Sequence, residues 1–202
     1  EVNDLNSARA YMGGAGTYTA AITFAGYSPA LSPNTTNIAE EWNGTNWTEV
    51  ADLANVRYAI SGAGTSSLGL AFGGTPNAGK TEEWVGAGQA AGAWSTANSM
   101  NTARSSLGGA GTQTSALAFA GQAATNPDPT GSRGDTESYN GTNWTEVNDM
   151  NSPRRGVAGF GASNTAAIVA AGYRDDPAGN TNLCESWNGS NWTEVNDMNR
   201  SS

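Results

Sequence analysis

Trp42-Asn43-Gly44-Thr45-Asn46-Trp47-Thr48-Glu49-Val50 recurs as Tyr139-Asn140-Gly141-Thr142-Asn143-Trp144-Thr145-Glu146-Val147, and again as Trp187-Asn188-Gly189-Ser190-Asn191-Trp192-Thr193-Glu194-Val195. A degraded copy lies between Trp84 and Trp94. Aligned on the Glu-Val after the second aromatic, the repeats start at Glu1, Glu49, Thr96, Glu146 and Glu194, which lie 48, 47, 50 and 48 residues apart. A period of roughly 40–50 residues is that of a four-stranded propeller blade, and such units bury their apolar faces only against one another. The reading is a single all-β domain over residues 1–202, a four-bladed β-propeller with blades at about 7–54, 55–101, 102–151 and 152–199.

Four strands can be read in each unit. The first covers 11–17, 59–65, 106–112 and 156–162, on the cores Gly13-Gly14-Ala15-Gly16, Ser61-Gly62-Ala63-Gly64, Gly108-Gly109-Ala110-Gly111 and Ala158-Gly159-Phe160-Gly161. Glycine weakens a strand, so this density implies close approach of neighbouring backbones, as expected where first strands line a crowded axis. Phe160 is the one large residue in these cores and is expected to plug the channel. The second strand is a continuous apolar run at 20–26, 68–74, 116–121 and 166–172, which suits a strand covered on both faces. Unequal loops follow at 27–37, 75–80, 122–135 and 173–182, with turn chemistry and no periodicity. The third strand carries Glu40-x-Trp42, Glu82-x-Trp84, Glu137-x-Tyr139 or Glu185-x-Trp187. Asn-Gly then signals a hairpin, because both residues tolerate positive φ; the second unit has the longer stretch 85–93 instead. The fourth strand begins at Trp47, Trp94, Trp144 or Trp192.

The two ends share one repeat phase: Glu1-Val2-Asn3-Asp4-Leu5-Asn6 matches Glu194-Val195-Asn196-Asp197-Met198-Asn199. In a ring closed at four blades both would claim one position. The expectation is that 192–198 fills it, leaving one terminus loose or the chain part of a longer protein.

The bulk numbers narrow the function. Hydrophobic content is 37%, charged content 13%, and there are 27 glycines, a turn-rich β composition. With a net charge of −9 and Lys80 as the only lysine there is no basic stripe, so no nucleic-acid partner is expected. No apolar run approaches the roughly 20 residues of a membrane-spanning helix, so no membrane insertion is expected. Cys184 stands alone and histidine is absent, which argues against a disulfide framework, a thiolate metal cluster and the usual general base. The chain is expected not to be an enzyme and to need no cofactor, although first-strand carbonyls around a four-blade axis are compatible with an axial ion.

The glycine closing the second strand, the aromatic of the third, the Trp a few residues later, then Leu or Met and Arg, resemble the kelch repeat. The resemblance covers essentially the whole chain in four copies and implies a kelch-like propeller of four-stranded antiparallel blades. It departs from that family in the glycine pair, complete only at Gly73-Gly74, and in blade number, which is usually larger. The Asn-Gly-Thr-Asn-Trp-Thr-Glu-Val phrasing also resembles repeat arrays in predicted tail and host-recognition proteins of marine phages.

Two polar positions repeat fourfold: Arg9, Arg57, Arg104 and Arg154 before the first strand, and Glu40, Glu82, Glu137 and Glu185 in the third. An active site is normally unique, so these are expected to pair and set register. Trp47, Trp94, Trp144 and Trp192 are expected in the cores between blades. The ligand-contact candidates are Tyr27, Trp84, Asp128, Arg133, Tyr173, Arg174 and Asp175, which lie in or beside loops that differ between units. An aromatic face offers a sugar ring a large apolar contact. Asp128, Asp135, Asp175 and Asp176 fit no known calcium-loop spacing. An enzyme would have only the repeat-breaking Arg133, Arg155 and Asp176 to draw on. The expected function is a non-catalytic binding module, virion-associated or extracellular, that recognises a surface glycan or protein. The alternative is a structural or assembly module within a longer chain or an oligomer.

Overall fold

The computed structural model describes residues 2–86, 92–123 and 131–199. Four antiparallel four-stranded sheets, with no helix among the described residues, are arranged as a four-bladed β-propeller. Blade 1 comprises Gly13–Thr17, Ala20–Tyr27, Thr35–Trp42 and Trp47–Val50. Blade 2 comprises Ser61–Gly64, Leu68–Phe72, Thr81–Val85 and Ala93–Ala97. Blade 3 comprises Gly108–Thr112, Ser115–Phe119, Thr136–Tyr139 and Trp144–Val147, and blade 4 Ala158–Ser163, Ala166–Ala170, Cys184–Trp187 and Trp192–Val195. Within each blade the strands pair in chain order.

Register follows the repeat. Trp42 faces Trp47, Trp84 faces Trp94, Tyr139 faces Trp144 and Trp187 faces Trp192. The turn beyond three of these pairs is longer than the tight hairpin that Asn-Gly suggests. It has four residues, and only the glycine takes positive φ: 92° at Gly44, 89° at Gly141 and 94° at Gly189. The asparagine side chain organises the turn instead. Asn43 Oδ1 accepts from the N–H of Thr45 and of Asn46, each at 2.9 Å, and Asn140 and Asn188 do the same.

Blades meet through their second strands. Phe24 meets Trp94 edge-on at 5.0 Å between ring centroids, Phe72 meets Trp144 at 5.1 Å, and Phe119 meets Trp192 at 5.0 Å. Each contact lies at one of three apolar cores, one per joint between consecutive blades. This explains the first-strand glycines. A Cβ on Gly62, Gly109 or Gly159 would lie 2.6, 2.6 or 2.7 Å from the ring tip of the preceding Phe24, Phe72 or Phe119. On Gly62 and Gly159 it would also strike the carbonyl oxygen of Gly14 or Gly109 at 2.7 Å.

The fourth joint is different. Ala59 N–H donates to Tyr11 O (2.7 Å), Ser106 N–H to Ala59 O (2.8 Å) and Gly156 N–H to Ser106 O (2.8 Å), a ladder that steps from blade to blade. It ends at Gly156, with no matching bond back to Tyr11. First strands pack blade 1 on 2, 2 on 3 and 3 on 4, without comparable packing of 4 on 1. The propeller therefore has a seam. Phe160 does not plug the channel: it is 61% exposed at this seam, because no following blade covers its strand. Both ends of the chain fit. Trp192–Val195 is the outer strand of blade 4, and Met198 exchanges hydrogen bonds with Asn182. On blade 1, Asn6 N–H donates to Glu40 Oε2 (2.8 Å) and Asn3 Nδ2 to Asn46 Oδ1 (2.6 Å). The expected competition for one position does not arise, because the seam leaves a place for each.

Candidate binding face

Every second strand runs out through two residues of positive φ. These are Ala25-Gly26, Gly73-Gly74, Ala120-Gly121 and Ala171-Gly172. The next residue then bridges to the one that follows the repeated arginine: Tyr27 to Ala10, Thr75 to Tyr58, Gln122 to Ser105 and Tyr173 to Arg155. The described parts of all four unequal loops and the linkers between blades thus gather at one end of the propeller, and the Asn-Gly turns at the other. Backbone bonds stitch this end together: Gly26 N–H to Arg57 O (2.9 Å), Gly74 N–H to Arg104 O (3.1 Å) and Gly121 N–H to Arg154 O (2.8 Å).

The repeated ion pairs lie beneath it. Arg57–Glu82 (2.9 Å), Arg104–Glu137 (3.0 Å) and Arg154–Glu185 (2.8 Å) are enclosed within their blades. Each carboxylate also accepts a linker N–H, from Asn6 to Glu40, Ala54 to Glu82, Asn101 to Glu137 and Asn151 to Glu185. Each of these three arginines donates to a loop carbonyl, at Lys80, Asp135 or Leu183. One buried pair thereby fixes both a linker and a loop. Arg9 lies 2.9 Å from Glu40, but none of its N–H groups is aligned on an acceptor. Burial lowers the pKa of all four guanidiniums, opposed by the paired carboxylates.

The open surface is a cavity of about 700 Å³ at the seam, lined by Tyr11, Ser106, Gln122, Arg155, Tyr173 and Asn180 among others. Arg155 is one of its lining side chains. The guanidinium carbon stands 4.6 Å from the centroid of the Tyr173 ring, and Nη1 reaches both Asp175 oxygens at 2.8 Å. Asp175 also accepts the N–H of Ser132, whose hydroxyl donates to Tyr173 O (3.1 Å). Hydrogen bonding from Ser132, then from Arg155, holds the Asp175 carboxyl below the usual carboxylate range. The loop carrying this set is not irregular: Tyr173–Asp175 and Ala178–Asn180 form a two-stranded ribbon. Across the face, Tyr58 packs on Tyr27 (5.9 Å) and on Tyr11 (6.4 Å), and Tyr11 is 68% exposed.

The structure thus brings Tyr27, Arg133, Tyr173, Arg174 and Asp175 to one end of the molecule. Tyr173 and Asp175 are joined through Arg155, whereas Arg133 is held by Asp135 in a two-point pair and Arg174 donates to Asp176 O. Trp84 is not part of this face. It is fully buried between blades 1 and 2, and its indole N–H donates to Ser66 O (2.8 Å) at the opposite end. The third-strand aromatic turns toward the preceding blade in every joint, so its nearness to a variable loop in sequence misleads. Asp128 lies outside the described residues. Sequence reading misses Tyr11 and Tyr58 and gives Arg155 no place in binding. The signal available was variation at one fixed repeat position, which reads Ala10, Tyr58, Ser105 and Arg155. Among the described residues no three His, Cys, Asp or Glu side chains are grouped as metal ligands would be. No protein-family model matches the chain, and no curated protein matches it.

Proposed function

We infer that this propeller is a non-catalytic binding module that recognises a glycan or a protein surface through its loop-bearing end, in a virion-associated or extracellular setting. The observation that carries this reading is the seam cavity, lined by Arg155, Tyr173 and Tyr11, with Asp175 holding Arg155 from beside it. Stacking faces and charge-assisted donors side by side suit a hydroxyl-rich or carboxylate-bearing ring. The likeness of the Asn-Gly-Thr-Asn-Trp-Thr-Glu-Val phrasing to repeat arrays of phage tail and host-recognition proteins points the same way. A glycan array probed with the wild-type chain and with Tyr173→Ala and Tyr11→Ala tests it. Binding to a defined sugar, weakened about tenfold or more when an aromatic contact is removed, is the expected result. Equal binding by all three proteins would place the site elsewhere, and no binding by any would reject the glycan reading.

A structural or assembly role is the second reading, and one observation favours it. Phe160 and Ile168 of blade 4 are exposed, although the matching positions of the inner blades lie in the joints.

A further inference from the structure

The exposed apolar residues of blade 4 are not scattered. Ile168 matches Leu70 and Leu117, Phe160 matches Ala63 and Ala110, and Met198 matches Met100 and Met150. The inner-blade members are all buried in a joint core, whereas Ile168, Phe160 and Met198 are 47%, 61% and 44% exposed. Blade 4 also exchanges large for small: Ala170 stands where Phe24, Phe72 and Phe119 stand, and the aromatic sits on the neighbouring strand as Phe160. Blade 4 thus presents an apolar outgoing surface like those of the inner joints, with its aromatic moved to the first strand. Blade 1 presents the incoming one. Gly14, the counterpart of Gly62, Gly109 and Gly159, meets no neighbouring blade, and Met12, the counterpart of Ile60 and Leu107, is 38% exposed.

We propose that a second copy of this chain seats its blade 1 against blade 4 of the first, as a fourth joint of the kind already made three times within the chain. The internal joints are what identify the occupant: the outgoing face mates with an incoming face of this same repeat, and the chain carries one free example of each. Seating needs one exchange. Residues 2–6 of the copy that offers blade 1 lie where the linker after Val195 of the other copy's blade 4 would run, and must give way to it. The replacement is chemically neutral. Asn3 and Asn6 donate to Asn46 Oδ1 and Glu40 Oε2, and Asn196 and Asn199 repeat the same residue types at the same phase. Exchange of an identical element between copies is a low-cost route to association. The contact is head-to-tail, so it closes into a two-copy ring of eight blades, within the range of known propellers, or continues as a filament.

Sedimentation velocity over about two decades of concentration tests this, with the wild-type chain, Phe160→Asp and Asn6→Ala compared. Phe160 is exposed, so its variant keeps the monomer fold, checked by an unchanged thermal midpoint at low concentration. The expected result is concentration-dependent association of wild type, weakened about thirtyfold or more by Phe160→Asp and strengthened by Asn6→Ala, which loosens the stretch that must leave. A wild-type chain that stays monomeric throughout, or a complex indifferent to Phe160→Asp, would overturn the proposal. The cavity borders the same seam, with Tyr11 on blade 1 and Tyr173 on blade 4, so the glycan array is also read with Phe160→Asp: unchanged sugar binding by a variant that no longer associates separates the two readings.

Discussion

The indole N–H of Trp94 is buried without an acceptor because Ala39 occupies the position from which a threonine serves the later joints. In those joints Trp144 Nε1 donates to Thr81 Oγ1 and Trp192 Nε1 to Thr136 Oγ1, both at 3.0 Å. Thr81, Thr136 and Ala39 each stand one residue before the repeated glutamate. Ala39→Thr should therefore stabilise the protein by about 1 kcal/mol, by satisfying a desolvated donor. Urea denaturation of the two proteins measures it. A destabilised variant would show that joint 1 has no room for the hydroxyl-bearing side chain.

The buried ion pairs should be unequal. Removing one partner of an enclosed, hydrogen-bonded pair leaves an uncompensated charge, so Arg104→Met should cost about 3–5 kcal/mol. Arg9→Met should cost roughly half of that or less, since Arg9 faces Glu40 without aligned hydrogen bonds. Denaturation midpoints of the two variants decide it, and equal losses would contradict the difference in geometry.

The seam gives a paired glycine experiment. Gly109→Ala puts a Cβ 2.6 Å from Phe72 and 2.7 Å from Ser61 Oγ, and should cost about 2 kcal/mol or more. Gly14→Ala meets only the Ile22 carbonyl of its own blade, at 3.3 Å, and should change stability by less than about 1 kcal/mol. Thermal unfolding at low protein concentration compares them. A large loss at Gly14 would mean that blade 4 closes on blade 1 after all.

The repeat phase made the blades, their strand order and the Arg–Glu positions legible, because a fixed spacing of Gly, Glu and Trp reports a fixed fold. The glycines of the first strands were readable as close approach, although not that a phenylalanine tip from the preceding blade sets the limit. The seam was not readable. Ile168 and Met198 look like Leu117 and Met150 in sequence, and only the absence of a covering blade exposes them. Phe160 broke the pattern visibly, yet its direction depends on which face of the strand meets another blade. The binding candidates were half legible for a related reason. Loops announce themselves by irregularity, but Tyr58 and Arg155 lie inside the regular part of the repeat.

Acid should remove one local contribution. Hydrogen bonding from Arg133 comes first among the causes that depress the Asp135 pKa. A depressed carboxylate contributes stability that is complete above its unfolded-state pKa and is lost as pH falls through the folded-state value. Arg133→Gln should therefore cost roughly 0.5 kcal/mol at neutral pH, small because the arginine is more than a third exposed. The gap to wild type should vanish toward about pH 2. A gap that persists in acid would point to lost packing rather than lost charge.

The seam also governs how the molecule comes apart. With three joints in series, each blade is coupled only to its neighbours along the chain, as in a one-dimensional array. Blades 2 and 3 are clasped on both sides, whereas blades 1 and 4 are clasped on one. Unravelling should begin at the outer blades and move inward, so that amide hydrogens of Leu70 and Leu117 outlast those of Ile22 and Ile168 in exchange with heavy water.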